Sequence, residues 1–190
     1  LGSMGMGALR CGRLGVLDLI DAFRRSKTMF AAVALGVFDA LAAEPKALGT
    51  LAVELSADAD ALQRLLDACV GLQLLERRGD RYANAAVATA YLCKSSPRRL
   101  TGYINYSNDV LCKIWARLEA AVREGTNRWK QAYSSEGPIF ANFFRTEEAK
   151  REFLMGMHGF GVISSPHVVR AFDLSPFRRL VDLGGATGHL

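Results

Sequence analysis

No pair of cysteines in this sequence has the CxxC spacing. The three histidines, His158, His167 and His189, stand far from the four cysteines, Cys11, Cys69, Cys93 and Cys112. A zinc module of the usual spacings is excluded, and no metal site is expected. Cys69 falls on an apolar helical stripe, where a thiol acts as a small hydrophobe. This cysteine usage suits a reducing, cytoplasmic compartment. Long hydrophobic runs are also missing. The longest, MFAAVALGVF, is Met29–Phe38, well short of the roughly 20 residues that span a bilayer, so no membrane partner is expected. Neither sign of charge dominates. The 24 basic and 19 acidic residues leave a net charge of +5, spread along the chain, as solvated helix faces would do. Internal repeats and low-complexity tracts are absent. The opening LGSMGMG reads as an expression scar rather than a targeting signal, and residues 1–13 are expected to be a tag-like, disordered lead.

What is present is helical periodicity. Half of the 190 residues are hydrophobic, enough for a good core. Leu17, Ile20, Phe30, Val33, Ala34, Val37, Phe38 and Leu41 recur at three- and four-residue steps, which predicts one long helix or two joined near Gly36. Pro45 ends that region, and a short helix follows over 48–55. Leu62, Leu65, Leu66, Cys69 and Val70 form a clean stripe. Asp58 and Asp60 lie where a helix N-terminus favours a cap and negative charge. In ERRGDRYAN the Gly-Asp pair between strand-compatible residues predicts a hairpin. Short helices followed by a hairpin is the winged-helix order. Further on, Leu111, Ile114, Trp115, Leu118, Ala121 and Val122 make another stripe, ending at Gly125. A long helix is predicted from Thr146 to about Phe172, kinked or restarted at Pro166.

Beyond that hairpin, a further strand is predicted only near the C-terminus, in RRLVDLGGATGHL, Arg178–Leu190. It would deliver Asp182 into a turn where Gly184 and Gly188 permit close backbone approach to a ligand, with the amides of a following helix aimed at it. The spacing Asp-x-Gly-x-Ala-x-Gly differs from the dinucleotide pattern GxGxxG.

That loop, together with SKTMFAAVALGVFDALA, LLDACVGLQLLERRGDRYANA, LEAAVREGTNRW and AFDLSPFRRLVDLGG, resembles the acetylserotonin O-methyltransferase type of S-adenosylmethionine-dependent small-molecule O-methyltransferases. The likeness runs from about Gly15 onward. It implies a mainly α chain. Residues 14–97 would be a winged-helix-like dimerisation domain. Residues 98–175 would supply connector and acceptor-pocket helices. Residues 176–190 would be the first strand of a Rossmann-like methyltransferase domain, truncated here. The cofactor implied for the complete enzyme is S-adenosylmethionine, held by Asp182, Gly184, Gly185 and Gly188. Phe144 stands where relatives often have a tyrosine near the cofactor, and Gly161 where some have a large aromatic. Ala186 adds a methyl group where the family pattern has glycine. Phe153, Met157 and Phe160 resemble the segment beside the acceptor ring. The same spacing also serves plain core.

The resemblance further implies a homodimer and a small hydroxylated, aromatic acceptor. The family's histidine base, in a His-Asp-Trp context, has no match, so no catalytic residue is assigned. His158 reads as a helix histidine, and the 190 residues are expected to be inactive alone. Two other readings stand beside this one. The first is a winged-helix DNA-binding regulator. Asp58, Asp60 and Asp67 against a lone Arg64 on the would-be recognition helix oppose it, since such a helix presents Arg, Lys, Asn or Gln to bases and phosphates. The second is a stand-alone dimerisation module.

Overall fold

A computed structural model describes residues 13–133 and 146–188. The first helix, α1 (Arg13–Ala34), runs for 22 residues. It stops where Gly36 turns left-handed at φ 78°, and α2 (Val37–Ala40) follows directly. The predicted break near Gly36 is therefore a two-helix joint, at a position that glycine occupies without strain. Ala32 and Val33 of α1, with Val37 and Phe38 of α2, enter the core.

The strand β1 (Lys46–Ala47) leads into α3 (Leu48–Glu54). Then comes α4 (Ala59–Gly71), where the Asp58 carboxylate accepts the Ala61 amide at 2.8 Å. That cap satisfies one of the four amides every helix start leaves open, an effect of about 1 kcal/mol. Leu62, Leu66 and Cys69 are buried, and Leu65 and Val70 flank them. The hairpin pairs β2 (Leu75–Arg78) with β3 (Arg81–Asn84) in the register Leu75↔Asn84 to Arg78↔Arg81. Gly79, at φ 65°, supplies the positive φ that a two-residue turn needs at its first position. β1 pairs on the other side of β3, so the antiparallel sheet has the order β1-β3-β2. Tyr82 anchors the sheet on α4. Its ring is buried and its hydroxyl donates to Asp67 at 2.7 Å. Asp67 also meets Arg77 at 3.5 Å.

The next segment contains α5 (Ala86–Tyr91) and α6 (Thr101–Tyr106). A π turn (Ser107–Leu111), α7 (Cys112–Trp115), α8 (Leu118–Glu124) and α9 (Trp129–Tyr133) follow. The stripe from Leu111 to Val122 is not one amphipathic helix. The π turn and a break at Ala116–Arg117 divide it, and Trp115 (65%) and Val122 (74%) remain exposed. Helical spacing fits the local conformation there, and among the described residues Trp115, Leu118 and Val122 stay uncovered.

The last helix, α10 (Glu147–Arg170), is continuous. Pro166 lies inside it and neither restarts nor ends it. Helices α6 and α10 cross at small residues. A Cβ built on Gly102 would come 2.5 Å from the Glu152 carbonyl oxygen, and one on Gly156 would come 2.5 Å from the Tyr103 amide nitrogen.

The predicted strand at Arg178–Leu183 does not form. Those residues carry no ladder, and Leu183 is 92% exposed. A buried parallel strand exists only beside hydrogen-bonded neighbours, and among the described residues none lies next to it.

Candidate functional site

The sequence motifs converge on two faces of α10. On one face, Phe153 meets the Tyr106 ring edge-on, with centroids 5.1 Å apart. Phe160 stacks on Tyr103, also at 5.1 Å. Met157 lies between them in sequence and is half-buried. Offset and edge-on pairs at this separation are favourable aromatic geometries. The Gly102–Gly156 approach brings the rings together by letting the two backbones draw close. Burial pushes the Tyr106 hydroxyl's pKa up, with Tyr103 adding to the effect, so Tyr106 is a neutral hydroxyl at physiological pH.

Tyr103 and Tyr106 were not singled out from the sequence. Their spacing, one helical turn apart in TGYINYS, is the signal that could have found them. The adjoining π turn extends the wall toward α1. Ser107 Oγ donates to the Tyr103 carbonyl at 2.8 Å, and the Lys27 ammonium donates to the Asn108 side-chain oxygen.

Beside α10 lies the glycine loop. Gly184 (φ 81°) and Gly188 (φ 65°) are left-handed, and nothing lies within 4 Å of where a Cβ would stand on either. The Asp182 carboxylate folds over Gly185, where a Cβ would fall 2.6 Å from Oδ2. Ala186 is also in the positive-φ region, at 41°, which costs a non-glycine residue roughly 1–2 kcal/mol. The Gly188 amide donates to the Gly185 carbonyl at 2.6 Å, closing a turn. The loop reaches α10 through Thr187, whose Oγ1 lies 2.9 Å from His158 Nδ1. Thr187 also borders a hollow of about 210 Å³ lined by Lys150, Arg151 and Leu154 of α10.

These positive-φ glycines leave an open backbone cradle, which suits a ligand that backbone groups must approach closely. Asp182 is the carboxylate beside it. Gly161 is buried on α10. Phe144 lies outside the described residues. Among the described residues, no group of three or more His, Cys, Asp or Glu side chains could hold a metal ion. No helix there is long and apolar enough to cross a membrane.

Residues 17–94 match the O-methyltransferase dimerisation domain, and residues 115–190 match the O-methyltransferase domain. Acetylserotonin O-methyltransferase of Gallus gallus is 40% identical over 182 residues, covering 92% of this chain and 53% of that protein. The chain belongs to the acetylserotonin O-methyltransferase family. A Homo sapiens protein described as a probable bifunctional dTTP/UTP pyrophosphatase/methyltransferase is 35% identical over 178 residues, covering 92% of this chain and 29% of that protein. The crystal structure of human N-acetylserotonin methyltransferase in complex with S-adenosylmethionine superposes with a TM-score of 0.79 at 32% identity. It covers 100% of this chain and 56% of that one. The chain thus spans about half the length of the acetylserotonin O-methyltransferases it matches.

Proposed function

We propose that these residues serve an S-adenosylmethionine-dependent O-methyltransferase acting on a small, hydroxylated aromatic acceptor. One observation carries the reading. The open glycine loop 182–188 and the aromatic wall of Phe153 and Phe160 attach to the same helix, α10. Donor and acceptor held on one rigid element meet in a fixed geometry, which is the main service a transferase provides. When bound, S-adenosylmethionine supplies an electrophilic sulfonium methyl group. Asp182, Gly184, Gly185 and Gly188 hold it, with Phe144 nearby. Phe153, Met157 and Phe160 line the acceptor side and exclude water.

Residues 14–97 act as a winged-helix-like homodimerisation domain, 98–175 supply the pocket helices, and 176–190 begin the cofactor domain. The compartment is cytoplasmic. The 190 residues turn over no acceptor by themselves, because the family's histidine base has no counterpart among them. Of the alternatives, DNA binding has the weaker support, since the Asp67 carboxylate of α4 already pairs with the wing residue Arg77 at 3.5 Å, and a carboxylate on the would-be recognition helix repels phosphate. A stand-alone dimerisation module would leave the glycine loop without a role.

The test is ultraviolet crosslinking of labelled S-adenosylmethionine to this chain, followed by peptide mapping. Label on 182–188 supports the reading, and label elsewhere or nowhere overturns its cofactor part. A turnover assay with a hydroxyindole acceptor is expected to yield no product from the 190 residues. Product would overturn the claim of inactivity.

A further inference from the structure

We propose that His158 is a positioning residue for the glycine loop, acting through the Thr187 hydroxyl. The inference rests on the reading of that loop as the cofactor cradle. The geometry is specific. His158 and Thr187 are 29 residues apart in sequence, and their side chains meet at 2.9 Å. Thr187 sits inside the turn that the Gly188 amide closes on the Gly185 carbonyl. Gly184 and Gly188 have open space where side chains would be, so packing does little to hold this turn. A hydrogen bond from its one hydroxyl-bearing residue to a rigid helix is therefore disproportionately effective.

The helix end of the bond is fixed. His158 is flanked by Gly156 and Gly159, both pressed on the backbone of the segment around α6, and by Met157 and Phe160 on the aromatic wall. His158 thus links the wall and the loop. It sets how far the donor cradle stands from the acceptor face, without touching either reactant. Because the link is a side-chain pair and not backbone, it is also tunable. Replacing either partner would change the spacing while leaving both halves folded.

Hydrogen exchange of the Gly188 amide in the isotope-labelled chain tests this with no cofactor present. Thr187→Val keeps the shape and removes the hydroxyl, whereas Thr187→Ser keeps the hydroxyl. Thr187→Val is expected to speed Gly188 exchange about fivefold, the population change that one ordinary hydrogen bond makes. Thr187→Ser is expected to restore the slow rate. His158→Phe should match Thr187→Val, and the double variant should be no faster than either single one, as two partners of one bond require. Equal rates for wild type and Thr187→Val, or equal rates for the Ser and Val variants, overturn the proposal. So does full additivity of the two single variants.

A separate arm titrates the wild-type chain with S-adenosylhomocysteine and follows the amide resonances of 182–188. Unmoved resonances up to millimolar ligand would sink the cofactor reading and leave the His158–Thr187 anchor standing. Moved resonances with no effect of Thr187→Val would do the reverse.

Discussion

Gly102 on α6 and Gly156 on α10 face each other with no room for a single methyl group on either. Each built Cβ would stand 2.5 Å from a backbone atom of the opposite helix. Alanine is the better helix former by about 1 kcal/mol, so helix propensity alone predicts that Gly156→Ala stabilises. The contact predicts the opposite. Backbone atoms cannot step aside as a flexible side chain can, and overpacking of this kind costs about 1–3 kcal/mol or more. Gly156→Ala is therefore expected to lower the urea midpoint. It should also weaken the near-ultraviolet dichroism of the Tyr103–Phe160 and Tyr106–Phe153 pairs. A higher midpoint would show that the two helices are not in tight contact.

The exposed face of α1 carries the second prediction. Val16, Leu19, Ile20 and Phe23 recur at helical steps, and each is more than half exposed. A contiguous apolar stripe on a helix marks an interface, and residues 17–94 match a dimerisation domain. Light scattering is expected to find a dimer. Ile20→Glu with Phe23→Glu should shift it to monomer while far-ultraviolet dichroism stays unchanged, because neither side chain contributes to the buried core. A double variant that remains a dimer would place the interface elsewhere.

What could be read in the sequence was what local physics decides. α4 announces itself through the Asp58 cap and the Leu62–Leu66–Cys69 stripe. The hairpin announces itself through Gly79-Asp80. In both cases the determining partners lie within a few residues. The strand expected at 178–183 does not form, because its residues have strand character but, among the described residues, no neighbour to pair with. The stripe ending at Val122 shows helical spacing, but periodicity does not show the π turn and the break that divide it. The crossing of α6 and α10 was invisible, since a glycine within a helical pattern says nothing of the backbone that will press against it. At the site, the glycines, Phe153 and Phe160 were legible as motifs. Their Tyr103, Tyr106 and Thr187 partners are set by tertiary packing and were not.

Burial controls the thiols. Cys69 is fully buried, and desolvation lifts its pKa from the ordinary 9.0 to about 11. Cys93 is raised as well, by burial first and then by the Asp39 charge. Tyr82 is raised by burial and by its bond to Asp67. A group whose folded pKa lies above its unfolded value stabilises the fold fully below the unfolded value and stops doing so as pH rises through the folded one. Stability should therefore be level near neutrality and fall from about pH 9 toward 11, with Cys69 alone worth on the order of 3 kcal/mol across that window. Alkaline urea titrations check the slope. A flat profile would mean that these groups ionise as freely in the native state as in the unfolded chain. Ellman's reagent should label Cys112, which is only partly buried, well before Cys69 or Cys93.

The resemblance places Ala186 where the family pattern is expected to have glycine, and its φ of 41° lies in the region that penalises a side chain. Ala186→Gly removes that penalty of roughly 1–2 kcal/mol and returns roughly half of it as extra freedom in the unfolded chain. The net effect should be a modestly steadier loop. The Gly188 amide should then exchange about two- to threefold more slowly, the share of one hydrogen bond's strength left after that offset. The loop should also take up S-adenosylhomocysteine more tightly, because less ordering remains to be done on binding. Faster exchange would mean that Ala186 occupies its backbone conformation without strain. Slower exchange with weaker binding would give its methyl group a contact role in the cradle, and the departure from the pattern would then be a determinant of this protein's own cofactor affinity.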